Sequence, residues 1–419
     1  MNIPIELGKD SSWLNPVRID AAARARHTYV SGQTGTGKSA LLLNIAAQVA
    51  SSGGFAFIDP HGDNAQELLS RIPACRAHEL VYIDLTDLAA PVGLNFLHDI
   101  QPDKRSAAAD NIVSTFVHIF GREAVGDRSQ AVLRNSLLAL MERNNESLLS
   151  VIQLLRSESF RSSVIAKLRD PLIRSYWQDE FANYDGRYRE QVVAPILNKL
   201  DACLSHVALR HILAQPTSSV NLRTMMDEGR ILVVNLRKGS VGEQASRFCG
   251  ALIFSALTSA ALSRDDIPED DRRPFDVIVD EFHSVITTDF ATVLSELRKY
   301  GLQLTLANQY LEQIPDDIRP AIFGNAGTFI AFRPGYDDAI ELNKQFQGKA
   351  PSHFLDLPNF RAWVRPLVNG VPGSPIHIQT HPPRPPINRH PEKLIANSQV
   401  RFGRRRSDIE RHVERTLQS

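Results

Sequence analysis

Cysteine is scarce in this chain. Three occur in 419 residues, Cys75, Cys203 and Cys249, far apart and in no C-x-x-C pair. That excludes a disulfide framework and a cysteine-based zinc site, and it fits a reducing compartment. An excess of charge is missing too: lysine and arginine number 47, aspartate and glutamate 47, so overall balance signals no polyanionic partner. No run approaches the roughly 18 uninterrupted apolar residues of a membrane-spanning helix. The longest apolar-rich segment, Phe248 to Leu262, is broken by Gly250, Ser255, Thr258 and Ser259, and reads as a buried helix. The opening MNIPIELGKDSSW has neither the basic start nor the apolar centre of a secretory signal. There is no internal repeat, no N-K-x-D guanine-reading motif, and no zinc knuckle or RNA-recognition aromatic motif. What remains is an ordinary globular composition, 43% apolar and 22% charged, long enough for two or three domains.

Apolar runs and amphipathic stretches alternate at both ends of the chain. HTYVSG, GGFAFIDPHGD and ELVYIDL read as buried strands, and a helix is predicted from about Lys38 with Leu41, Leu42, Ile45 and Val49 on its apolar face. Strands return at GRILVVNL, FDVIVDE, LQLTLANQ and GTFIAFR, with helices between them. Phe360 to Thr380 alternates around central turn residues and reads as a closing hairpin. This is the pattern of a parallel α/β sheet. From Pro102 to about Gln215 the spacing is helical throughout. That implies either an all-α domain inserted into the α/β domain or helices that cover the sheet directly. The expected divisions are 1–101 and 223–380 for the α/β domain, 102–222 for the insert, and 381–419 for a proline-rich extended linker and a basic tail.

The strongest chemical signal is G-x-x-x-x-G-K-S from Gly32 to Ser39, between a predicted strand and a predicted helix. Gly32, Gln33, Thr34, Gly35, Thr36 and Gly37 would turn backbone N–H groups toward phosphate oxygens. The helix N-terminus adds favourable dipole charge, Lys38 would reach the β- and γ-phosphates, and Ser39 would bind Mg²⁺. Such a loop needs an acidic partner at a strand end. Asp280 and Glu281 close the FDVIV run, as a Mg²⁺ holder and as the group that orients and deprotonates the attacking water. Asp59 and Asp84 are rivals by pattern, but neither is followed by a second carboxylate. Gln309, at a strand tip after Asn308, can sense the γ-phosphate. Arg298 is a candidate arginine finger for a neighbouring subunit's nucleotide, with Arg333 as its rival. His61 and Asp63, after the second strand, can face the nucleotide; His61 equally reads as a solvated turn residue.

Assembled in this order, the chain resembles the HerA/FtsK-type motor ATPases, and within them the conjugative coupling proteins of type IV secretion systems, the TraG/TraD-like group. HTYVSGQTGTGKSALLLNIA, FAFIDPHGD and the block from VIVDEFH through LTLANQY carry the resemblance, which spans most of residues 1 to about 350. It implies a RecA-like P-loop core with a helical insertion, ATP and Mg²⁺ as ligands, and a homo-hexameric ring that moves DNA. It supports Lys38, Ser39, Asp280, Glu281 and Gln309 in the roles above and strengthens Arg298 as the finger. Coupling proteins usually begin with transmembrane helices. This chain begins almost at the motor, so the expected place is the cytoplasm, or the membrane periphery by way of a partner. Residues 381–419 carry nine Lys/Arg against four Asp/Glu. That segment can touch nucleic acid, dock a protein partner or form a solvated helix with i,i+4 charge pairs. A rival function follows: a nucleotide-gated assembly ATPase that recruits a secretion, DNA-processing or defence effector through the tail.

Overall fold

The computed structural model of the chain describes residues 4–287 and 290–418. Its strands are β1 (Ile5–Asp10), β2 (Pro16–Ile19), β3 (Thr28–Ser31), β4 (Gly54–Asp59), β5 (Leu80–Asp84), β6 (Ile231–Asn235), β7 (Phe275–Val279), β8 (Leu302–Asn308), β9 (Thr328–Ala331), β10 (Arg361–Arg365), β11 (Leu367–Val368), β12 (Val371–Pro372) and β13 (Ile376–Thr380). Eleven of them form one sheet in the order β2-β1-β13-β10-β9-β3-β8-β7-β4-β6-β5. The centre, from β9 to β6, is parallel. Strands β4, β6, β7 and β8 are buried along their whole length. That is why their sequences are unbroken apolar runs and not alternating ones. The expected hairpin joins this sheet: β10 pairs antiparallel with β13, Trp363 opposite His377.

The architecture is α/β, as the sequence implies. Helix Lys38–Val49 buries Leu41, Leu42, Leu43, Ile45 and Val49 in a core shared with Phe55, Phe57, Ile278, Ile330 and Phe332. Sheet order matters for the chemistry. β8 lies between β3 and β7, with Ser31 level with Asn308 and Val279 level with Leu306. The loops that leave the C-terminal ends of these three parallel strands therefore emerge side by side, where α/β sheets bind ligands.

The chain divides into two compact units. One contains residues 1–82, 222–236 and 257–398; the other contains 83–221, 237–256 and 399–419. The helical unit thus begins at Ile83, ahead of the expected 102, and it takes in residues 237–256 and the end of the tail. The physical reason is in its own contacts. Val92 bridges Gly403, Leu94 N–H donates to Ile212, and Phe116 packs edge-to-face on Phe248 at 5.9 Å. Between Asp84 and Ile231 no strand occurs among the described residues, and helices such as Arg105–Phe120, Asp127–Met141 and Gly186–Leu204 fill the interval. Helix Glu243–Leu262 has the length and composition to cross a membrane, but most of it is buried inside the protein, Phe248, Cys249, Ile253 and Phe254 included.

The tail differs from a free extended arm. Pro391–Phe402 and Arg406–Gln418 are helices. In the first unit Leu394 enters the core and Ser398 Oγ accepts from the Tyr82 N–H on β5 at 2.8 Å. In the second, Ile409 and Val413 are buried, and the exposed face carries the i,i+4 pair Arg406–Glu410 at 2.7 Å.

Candidate nucleotide site

After β3 the chain turns through Gly32–Gly37 into helix Lys38–Val49. Two glycines are obligatory. Gly32 has φ +146° and any side chain there would meet Phe332 Cβ at 2.6 Å; Gly37 has φ +118° and is wedged between Phe332 and Phe360. Thr36 Oγ1 donates to Gln33 O at 2.6 Å, and Gln33 N–H donates to Arg333 O at 2.9 Å, so the loop is tied to itself and to the end of β9. Lys38 Nζ donates to Gly32 O at 2.6 Å and Gln33 O at 3.4 Å, curled beneath the loop. Burial lowers the Lys38 pKa, and the carboxylates of Asp280 and Glu281 pull it back up.

The acidic pair follows β7. Ser39 Oγ donates to Asp280 Oδ2 at 3.2 Å, joining the loop to the pair. Burial pushes the Asp280 carboxyl up to about 6; Lys38 opposes the rise, while Asp59 and Glu281 add to it. Glu281 stands in the left-handed region at φ +45°. Strain of this kind in a non-glycine residue is a mark of functional sites. Gln309 bridges the two halves: its Nε2 donates to Glu281 Oε1 at 2.5 Å and its Oε1 accepts from Thr34 Oγ1 at 3.0 Å. One open cleft of about 380 Å³ is lined by Thr34, Lys38, Ser39, Asp280, Glu281 and Gln309, with His61, Asp63, Asn64 and Phe360 at its margins.

The other sequence candidates separate cleanly. His61 Nε2 lies 3.4 Å from Glu281 Oε1, although the ring is half exposed. Asp59 is buried and accepts from His61 N–H and Ala65 N–H, so it ties the turn after β4 to helix Asp63–Leu69. Asp84 binds Arg237 and Thr86 and does not line the cleft. Arg298 is exposed and precedes β8. With seven residues in β8 it lies about 20 Å from its own cleft, at the opposite end of that strand. Arg333 is held by Leu357 O and Asn359 Oδ1 at 3.1 and 3.0 Å. Phe360 is not singled out in the sequence, because an aromatic before a hairpin strand is commonplace.

The donor set suits a hard cation. A hydroxyl and a buried carboxylate converge beside the loop, and no group of three or more His, Cys, Asp or Glu forms a metal cage among the described residues. Mg²⁺ is bound in this way, by one or two carboxylates together with substrate phosphates and water.

No family model matches the chain, and no curated protein matches it. Solved structures do. The plasmid coupling protein TrwB in complex with the GTP analogue GDPNP aligns at TM-score 0.66 and 16% identity, covering 93% of this chain and 92% of that one. TrwB with ADP and Mg²⁺ aligns at 0.65 and 17%, covering 90% of each. VirB4 of Thermoanaerobacter pseudethanolicus aligns at 0.60 and 15%, covering 90% of this chain and 96% of that one. The chain has the fold of these proteins, which agrees with the resemblance read from its motifs.

Proposed function

We propose that the protein is an ATP-driven motor that translocates DNA, working as a ring of six copies with each nucleotide between neighbours. The observation that carries this reading is the single cleft where Lys38, Ser39, Asp280, Glu281 and Gln309 meet. Lys38 and the loop N–H groups hold the phosphates, and Ser39 and Asp280 hold Mg²⁺. The cation neutralises phosphate charge as the γ-phosphoryl leaves. Glu281 orients the attacking water and takes its proton. Gln309 touches both the loop and Glu281, so it is placed to register whether the γ-phosphate is present. TrwB has been solved with ADP and Mg²⁺ and with GTP and ATP analogues, which supports the same ligands here.

The test is steady-state ATP hydrolysis without DNA, with single strands and with duplex, alongside Lys38→Ala and Glu281→Gln. The expected outcome is stimulation by one DNA form and loss of activity in both variants, with nucleotide still bound by Glu281→Gln. Hydrolysis indifferent to DNA would favour the assembly ATPase. For that rival the tail offers the exposed Val400 and Leu417, while Leu394, Ile409 and Val413 are buried in this chain.

A further inference from the structure

Phe360 is the odd residue at the cleft. It is 44% exposed, while most other phenylalanines of this unit are buried. Its backbone has φ +63°, a conformation a bulky aromatic adopts at a cost. The surroundings enforce it from both sides. Phe360 N–H donates to Thr36 O at 2.7 Å, and Phe360 O accepts from Thr380 N–H at 2.9 Å and Thr380 Oγ1 at 3.0 Å. The residue is thus nailed between the phosphate loop and β13, with its ring against Gly37: a side chain on that glycine would meet Phe360 Cδ1 at 3.1 Å. Observed strain held in place by several bonds, beside a ligand cleft, points to a role for the side chain it aims.

Sheet order shows which part of a ligand the ring would meet. Asp280, Glu281, Gln309 and His61 follow β7, β8 and β4, on one side of β3. Phe360 precedes β10, on the other side. The terminal phosphate must lie with the carboxylates and Gln309. The opposite end of a nucleoside triphosphate then leaves the loop toward Phe360.

We infer that the Phe360 ring is the platform on which the nucleobase stacks. This rests on the nucleotide reading of the cleft. Stacking on a π-face is base-tolerant, because every base has one. The polar lining residues Asp280, Glu281, Gln309, His61, Asp63 and Asn64 all follow strands on the far side of β3 from Phe360. The site would therefore take nucleoside triphosphates as a class, ATP and GTP alike, holding the base by its face without reading its edge.

Binding of ATP, GTP and inorganic tripolyphosphate is to be measured calorimetrically with Mg²⁺ for the full chain, Lys38→Ala, Phe360→Leu and Phe360→Trp. Phe360→Leu keeps bulk and burial while removing the π-face. It is expected to weaken ATP and GTP alike, by about tenfold, and to leave tripolyphosphate within about twofold. Phe360→Trp is expected to bind both nucleotides at least as well as the parent, with tryptophan emission changed by ATP and GTP but not by tripolyphosphate. Equal affinity of the parent and Phe360→Leu for all three ligands would overturn the inference. So would a parallel loss for tripolyphosphate, which would mean that Phe360 only shapes the loop, or a loss confined to one purine. Failure of the nucleotide reading looks different: the parent would bind none of the three, or Lys38→Ala would bind all of them unchanged.

Discussion

Gln309 joins the Glu281 side of the cleft to the Gly32–Gly37 loop, through one amide with two partners. Its contact with Thr34 is exposed and its contact with Glu281 is partly buried. The first therefore contributes little to stability, while the second fixes the carboxylate to which the proposed mechanism gives the water. Gln309→Ala is expected to lower hydrolysis by roughly 10- to 100-fold, the scale of a lost positioning contact. ATP affinity should move by less than about threefold, because none of the loop's phosphate donors is touched. Single-turnover hydrolysis beside equilibrium binding checks this, and parallel losses in both would assign Gln309 to binding. The residues of this cleft were legible to different degrees. A phosphate loop needs glycine, lysine and serine at fixed spacing, and an acidic strand end needs its carboxylates, so the sequence announces both. Phe360 joins the phosphate loop from more than 300 residues away through one backbone bond, to Thr36 O, and no local pattern records that.

At the scale of elements, His27 ties three together. It ends the approach to β3; its Nδ1 accepts from Leu304 N–H in β8 at 3.1 Å, and its Nε2 donates to Leu294 O in helix Phe290–Leu297 at 3.2 Å. The Leu304 bond requires the neutral ring, because only an unprotonated Nδ1 can accept. Burial lowers its pKa from 6.5 to about 4; the Leu294 bond opposes the fall and Arg298 adds to it. The unfolded chain binds this proton more readily, so the contribution is fully present above about pH 6.5 and is lost as pH falls toward 4. The shift corresponds to about 3 kcal/mol. Denaturant unfolding between pH 7.5 and 4.5 should show the parent losing about that much more stability than His27→Gln, which has no proton to take up. Parallel pH profiles would mean that the ring is not held neutral. The sequence gives His27 no more weight than any histidine before a strand; its role comes from parallel pairing with β8, a long-range fact. The tail was partly legible for a related reason. The spacing of Ile409 and Val413 with exposed Arg406 and Glu410 fits a helix, whereas the burial of Leu394 and Ser398 depends on a strand three hundred residues earlier.

At the scale of the whole molecule the proposed ring raises the question of which arginine would serve as its finger. Arg298 stands before β8 and Gln309 just after it, so the length of the strand keeps Arg298 away from the chain's own nucleotide. Arg333 is closer but its guanidinium is engaged by Leu357 and Asn359. A finger that acts only on a neighbour follows if copies meet head to tail, as they do in a closed ring. Complementation then distinguishes the two arrangements. Lys38→Ala protein has no working phosphate loop but keeps its arginine; Arg298→Ala protein has the loop and lacks the arginine. Each alone should be nearly inactive. In a random equal mixture, a site is whole wherever an Arg298→Ala copy is served by a Lys38→Ala neighbour, which is about a quarter of all sites in a head-to-tail ring. Recovery of hydrolysis toward that fraction after mixing and reassembly would place Arg298 in its neighbour's site. If mixtures stay inactive while Arg298→Ala alone is dead, the arginine serves its own chain, and the geometry of β8 would have to change on assembly. If Arg298→Ala alone keeps full activity, the finger lies elsewhere and Arg333→Ala becomes the variant to mix.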